Sequence, residues 1–183
     1  MATLRQNDPF GVLLEKRAPT DVRLSDGTLD IDQVQRLYEV HGRALLAYAC
    51  GFLGGPSDAE DVVHQVFLRL LRDGVTATLS PGYLFRAVRN GALNDIRRRS
   101  REVDLDGVAQ WLESPSGSKE TALALQSALK VLPEEQREVI VLRVWGQLTF
   151  EEIAGVVDIP PNTAASRYRY GLAKLKEIWH GRI

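Results

Sequence analysis

Arginines gather in one part of this chain in a way that suits contact with phosphates. Arg86, Arg89, Arg97, Arg98, Arg99 and Arg101 stand close together with Asp95 as the one acid among them, and Tyr83, Phe85 and Asn90 are interleaved. Guanidinium groups track a phosphate backbone, and aromatic rings give unstacked bases a surface, so this mixture points to nucleic acid. Cations also favour a helix C-terminus, but the dipole acts only over the last turn and this run extends well beyond one. A second set follows at residues 163–174. Thr163, Ser166, Arg167, Tyr170 and Lys174 share one side of a helical period, and Ala164, Tyr168, Leu172 and Leu175 share the other. Hydroxyls mixed with cations suit phosphate positioning and base-edge contact in a groove.

The second set must be held by residues 148–176, which predict two helices joined by a tight turn. Thr149 and Glu152 have the spacing of a capping box, with Leu148 and Ile153 where a hydrophobic staple belongs. Phe150, Ile153, Ala154 and Val157 give the first helix a buried face. Asp158-Ile159-Pro160-Pro161 is expected to stop it, and Asn162 or Thr163 to cap the next. This is the outline of a helix-turn-helix, which lays its second helix in a DNA major groove. Such outlines are common in surface helices, so the rest of the chain must decide their meaning.

The composition narrows the choice. At 183 residues the chain can hold one ordinary domain or two small ones, and 44% hydrophobic content is ordinary for a globular protein. A formal net charge of −1 argues against gripping nucleic acid unaided by bulk electrostatics. Cys50 is the single cysteine and lies among Ala47, Tyr48 and Phe52, which reads as a buried structural thiol. His41, His64 and His180 are scattered, and His41 falls on an apolar helical face as a core residue would. No metal-ligand spacing, phosphate-binding glycine loop or nucleophile arrangement stands out, so no enzyme, cofactor or metal is expected. Neither a membrane-spanning run nor a signal-peptide core is apparent, and a cytoplasmic protein is the expectation.

Along the chain, residues 1–28 read as a mobile extension with a short helix near 10–16. A helix is expected from Asp30 to about Leu53, ended by Gly54-Gly55-Pro56. Ser57 and Glu60 then suggest a capping box opening a second helix, with Val63, Val66, Phe67, Leu70 and Leu71 buried and Asp61, His64, Gln65, Leu68 and Arg72 outward. Ser80-Pro81 starts the arginine-bearing helix. Residues 102–118 carry Ser114-Pro115-Ser116-Gly117-Ser118 and read as a flexible linker, with Trp111 in a short anchored turn. Helices are expected again from 119 to 131 and after Pro133. The run Val139-Ile140-Val141-Leu142-Arg143-Val144-Trp145 has β propensity, yet its proline-acid start and lack of a partner strand predict a buried helix. The fold class is therefore all-α, in two small helical domains: 29–101 and 119–183, with the extension at 1–28 and the linker at 102–118.

Three motifs in this order resemble bacterial RNA polymerase sigma factors of the sigma-70 family, in the extracytoplasmic-function group with only regions 2 and 4. Asp58-Ala59-Glu60-Asp61-Val62-Val63-His64-Gln65-Val66-Phe67-Leu68-Arg69-Leu70 is similar to regions 2.1–2.2, and Tyr83-Leu84-Phe85-Arg86-Ala87-Val88-Arg89-Asn90 with Arg97-Arg98-Arg99 to regions 2.3–2.4. Leu132-Pro133-Glu134-Glu135 through the helix-turn-helix is similar to region 4. The resemblance implies that Asp61, Gln65 and Leu68 dock on the β′ clamp coiled coil of core polymerase. It also implies that Tyr83, Arg86, Arg89, Asn90, Arg97 and Arg98 take the −10 promoter strand, while the loop at 75–80 holds a flipped base. The second domain would rest on the β-flap and bring Thr163, Ser166, Arg167, Tyr170 and Lys174 to the −35 element. Core RNA polymerase and promoter DNA are the implied partners, with an anti-sigma factor as a further one, and no membrane. Tethering two weak DNA sites on polymerase would supply affinity that near-neutral charge does not.

The chain departs from the family pattern in places. Tyr83 stands where tryptophan is frequent, Asn94 where aspartate is common, and Ala164-Ala165 replaces a frequent Val-Lys pair, removing a cation. Two other readings use the same helices. A stand-alone helix-turn-helix regulator needs neither the arginine run nor the acidic-capped helix, and a sigma-mimicking interaction module needs no DNA-reading stripe.

Overall fold

The computed structural model describes residues 30–53, 55–73, 79–99 and 127–180. Its elements are α1 (Ile31–Leu53), α2 (Pro56–Asp73), α3 (Pro81–Arg99), α4 (Glu134–Val144), α5 (Phe150–Val157) and α6 (Pro161–His180), with one more helical turn at 127–130. The chain is all-α, as expected. The extension with its helix at 10–16, residues 75–78 of the loop at 75–80, the connection at 102–118 with Trp111, and the helix start at 119 lie outside the described residues.

Local chemistry sets the helix ends. At α1, the Gln33 backbone N–H donates to Asp30 Oδ1 at 2.6 Å, and the Asp30 N–H donates to Gln33 Oε1 at 3.0 Å, a reciprocal cap not anticipated from the sequence. Ser80 Oγ accepts from the Tyr83 N–H at 3.3 Å, with Pro81 in the first turn of α3 as expected. The Thr149–Glu152 capping box forms at α5, with bonds of 3.2 and 2.7 Å. Two starts differ from expectation, both because proline fits a first helical turn, where its missing N–H costs nothing. Helix α2 begins at Pro56, ahead of the Ser57–Glu60 pair, and α6 begins at Pro161, which puts Asn162 and Thr163 inside the helix. What ends α5 is Asp158, in left-handed conformation at φ 58°, ψ 54°, its N–H bonded back to the Ala154 carbonyl.

Helices α1, α2 and α3 pack as one bundle around Leu37, Leu45, Val63, Leu84 and Val88. Leu71, expected inside, is 40% exposed, and Ala59 and Val62 take up the buried face of α2 instead. Helices α4, α5 and α6 form a second group. The β-branched run of α4 is helical because it is covered on both sides: Val139, Val141 and Leu142 join the larger core, and Ile140 and Val144 join a smaller one with Leu129, Leu132 and Leu175. Helix α6 crosses α4 so closely that a Cβ on Gly171 would lie 2.7 Å from Ile140 Cδ1.

The larger core continues from the first group into the second. Helix α3 lies against α5, and α1 meets α4. Leu79, Phe85 and Val88 share one cluster with Leu142, Leu148 and Ile153. At the joint, the rings of Tyr48 and Phe85 meet edge-on with centroids 5.5 Å apart. Gly146 faces Phe85, and a Cβ there would come 3.0 Å from Phe85 Cζ and 2.6 Å from the Leu142 carbonyl oxygen.

Candidate nucleic-acid interface

Helix α3 buries Leu84, Phe85, Val88 and Ala92, which leaves Tyr83, Arg86, Asn90, Asn94 and Arg97 as one exposed stripe along its length. Beside that stripe a cleft of about 490 Å³ opens between α2 and α3, lined in part by Arg69, Tyr83, Arg86, Asn90 and Asn94. Stacking surface, amide hydrogen-bonding groups and cations therefore converge on one concave site, the combination that receives an unstacked base and its phosphate. Arg69 and Asn94 were not among the expected site residues. Arg69 belongs to the neighbouring helix, where spacing along α3 gives no hint of it.

The other arginines of the run divide by partner. Arg98 donates to Asp95 Oδ1 at 2.6 Å and keeps its side chain 71% exposed. Arg99 bonds Asp95 at 2.8 Å and also reaches Asp58 at the start of α2. Its hydrogen bond holds the Asp58 carboxyl below the usual carboxylate value. Arg99 is thus a tie between helix ends. Arg89 points away from the stripe and donates from Nε to Glu138 Oε1 of α4 at 2.8 Å. The Tyr48 hydroxyl donates to the same oxygen at 2.7 Å. Burial raises the Tyr48 pKa first and the Glu138 charge adds to it, so the hydroxyl stays protonated as a donor. For Arg89, burial alone would lower the pKa, but the bond and charge of Glu138 outweigh it and raise the value.

Among the residues expected to read DNA from α6, Tyr170 and Lys174 are exposed, whereas Thr163, Ser166 and Arg167 are half-buried. Arg169, not singled out from the sequence, sits over the Tyr170 ring at 5.6 Å and brings a cation to that face. Tyr168 packs inward against Phe150, and the Arg143 guanidinium lies 5.1 Å from the Phe150 ring centre while donating to the Leu148 carbonyl at 2.6 Å. These contacts brace the connection between α4 and α5 and hold the start of α5 against α6.

On α2, Asp61, Gln65 and Leu68 form one outward row, with Leu68 62% exposed. Cys50 is buried, and desolvation followed by the nearby Glu60 charge pushes its thiol up to about 11, which suits a structural role. Among the described residues no cluster of three or more His, Cys, Asp or Glu could hold a metal ion, and no helix is long and apolar enough to cross a membrane.

Comparison with known proteins bears directly on this surface. The family profile of Sigma-70 region 2 matches residues 37–102, and that of Sigma-70, region 4 matches residues 122–175. The ECF RNA polymerase sigma factor EcfG of Rhodopseudomonas palustris is 31% identical over 144 residues, spanning 74% of this chain and 78% of that relative. The RNA polymerase sigma-E factor of Streptomyces avermitilis is 32% identical over 139 residues, spanning 73% and 78%. Among solved structures, the chain is similar to the sigma factor RpoE in complex with the anti-sigma factor NepR from Bartonella quintana, with TM-score 0.65, 25% identity, and coverage of 81% of this chain and 97% of that one. It shares its fold with CnrH, solved in complex with the cytosolic domain of CnrY, at TM-score 0.59 and 24% identity over 83% and 90% of the two chains.

Proposed function

The chain belongs to the ECF RNA polymerase sigma factors of the sigma-70 family and directs transcription initiation, and from that premise we propose how its residues do so. Its work is that of an initiation factor acting on polymerase, not of an enzyme in its own right. Residues 29–101 form the domain that binds core polymerase and melts the −10 element, and residues 119–183 form the domain that reads the −35 element. The segment 102–118 spans the two, and 1–28 is an extension. Asp61, Gln65 and Leu68 dock on the β′ clamp coiled coil, and the second domain rests on the β-flap. Tyr83, Arg86, Arg89, Asn90, Arg97 and Arg98 take the −10 strand, and Thr163, Ser166, Arg167, Tyr170 and Lys174 enter the −35 major groove. The site of action is the cytoplasm, where the polymerase is. A protein that binds this chain as NepR binds RpoE is a further partner.

The observation that carries this reading is the cleft between α2 and α3, with Tyr83, Arg86 and Asn90 at its wall and the exposed cations of α3 beyond. Promoter opening needs such a place, because a flipped base must be received while its backbone is neutralised. Reconstitution with sigma-free core polymerase on a genomic fragment library tests it. Promoter-specific transcripts are expected; specific DNA binding without core, and no transcripts, overturns it. Arg167→Ala is expected to weaken −35 recognition by about 1–3 kcal/mol, the range for loss of a bidentate base contact. An unchanged −35 preference removes Arg167 from the reading set. Asp61→Ala with Gln65→Ala is expected to weaken capture of the β′ subunit while the far-ultraviolet circular dichroism stays that of the parent.

A further inference from the structure

The arginines near the cleft differ in whether an acid already holds them. Arg72 donates to both oxygens of Asp73, at 2.6 and 2.8 Å, Arg89 is held by Glu138, and Arg98 and Arg99 by Asp95. Two others line the cleft with no ion-pair partner among the described residues, Arg69 on the α2 wall and Arg86 on the α3 wall, and both are exposed. Asp73 lines the same cleft, but Arg72 takes both its oxygens, so the uncompensated charge there is that of Arg69 and Arg86. Between them the floor is apolar, made by the buried Val66 and Leu70 of α2 and the half-buried Ala87 of α3. The walls are fixed relative to each other, because α2 and α3 close up where a Cβ on Gly91 would lie 2.9 Å from Val62 Cγ1. A nucleotide turned out of its stack carries a phosphate on each side of its sugar. A base resting on that floor beside Tyr83 therefore meets a guanidinium from either wall, and each offers the planar fork that suits a pair of phosphate oxygens.

We propose that Arg69 is a phosphate-positioning residue of the −10 site, clamping from α2 the backbone of the strand whose base enters the cleft while Arg86 clamps it from α3. The strand is thereby tied to both helices and not to the arginine-bearing one alone. Such contacts carry no sequence information; they fix where the base sits when Tyr83 and Asn90 meet it. The clamp rests on the −10 role given to the cleft above. Arg69 directly follows Leu68 of the docking row, so a contact with polymerase is the competing role.

The test uses holoenzyme reconstituted from the full chain and sigma-free core, with a fork-junction DNA whose non-template −10 strand is unpaired. The DNA carries the sequence of a promoter found in the reconstitution. Arg69→Ala is expected to bind this probe about 10-fold more weakly, as for loss of one charge-assisted hydrogen bond. The slope of log affinity against log salt should become shallower by about 0.7, the share of one single-strand phosphate. Arg69→Lys should restore the slope, and Arg36→Ala, which removes an exposed cation from α1, should leave slope and affinity as in the parent. Methylphosphonate replacement, one −10 phosphate at a time, then identifies the partner. At one position the neutral linkage should weaken binding by the parent and cost Arg69→Ala nothing further. Additive losses at every position overturn the clamp, as does an unchanged slope. Weaker capture of core by Arg69→Ala with no change in slope assigns the residue to the docking row instead. If Arg69→Ala loses helicity, Arg69→Gln takes its place in the same comparison. Failure of the clamp leaves the parent's promoter-specific transcripts intact, whereas absent transcripts bring down the sigma assignment itself.

Discussion

His41 is buried on α1, and its Nε2 has no hydrogen-bond partner among the described residues. Burial lowers its pKa from the ordinary 6.5, because the charged ring is poorly solvated there. As pH falls through 6.5 the unfolded chain takes up the proton first, so the folded state loses stability until its own lower pKa is passed. The urea midpoint should therefore drop between neutral pH and mildly acidic pH, and the drop should shrink in His41→Gln. Asp58 has the same sign in a lower window. Arg99 holds its carboxyl below 3.8, so the tie contributes above that value and is lost as pH falls through the depressed folded pKa. Arg99→Ala should move the acid-unfolding midpoint to higher pH, followed by tryptophan fluorescence. The partners of Arg99 and Arg89 could not be read from the sequence. Their acids, Asp58 and Glu138, lie 41 and 49 residues away, and a run of arginines looks alike whether it faces phosphate or a distant carboxylate.

Helix ends were legible wherever the signal was local. The Thr149–Glu152 box is a matter of three-residue spacing, and it forms as the spacing requires. Thr149→Ala should cost about 1 kcal/mol in chemical denaturation, since one first-turn N–H loses its acceptor. Asp158 sits in the left-handed region that an Asp tolerates and a β-branched residue does not. Asp158→Val should cost about 1–2 kcal/mol by the same assay, and more than Asp158→Gly. The misplaced starts of α2 and α6 share one cause, for Pro56 and Pro161 read as stops from one side and as first-turn residues from the other. Only the chain direction at each turn, fixed by packing of α1 on α2 and of α5 on α6, selects between them. The β-rich run of α4 is decided at this scale too. Propensity favoured a strand, but two cores closing on opposite sides of it favoured a helix.

For the molecule as a whole, the periodicities identify which helices exist and which faces are apolar, but not that α3 and α5 share a core. Each helix would show the same stripe if it packed only within its own group. The shared cluster around Phe85, Leu142 and Ile153 makes the two groups one cooperative unit. Heat or urea should unfold them in a single transition, with coincident curves by circular dichroism and by tryptophan fluorescence. Phe85→Ala should cost about 3–5 kcal/mol, as for other buried aromatics, and split that transition in two. The notch at Gly146 then has a consequence for recombination. A protein read as two reading heads on a cord invites exchange of one head for that of a relative, since a cord imposes no fit. Here the heads meet as lock and key, Phe85 from one entering the place that Gly146 leaves in the other. A chimera that brings any side chain to position 146 blocks the seat, and one that lacks a ring at position 85 leaves it hollow. Exchange of heads between relatives is governed by this pair of positions before any promoter is consulted.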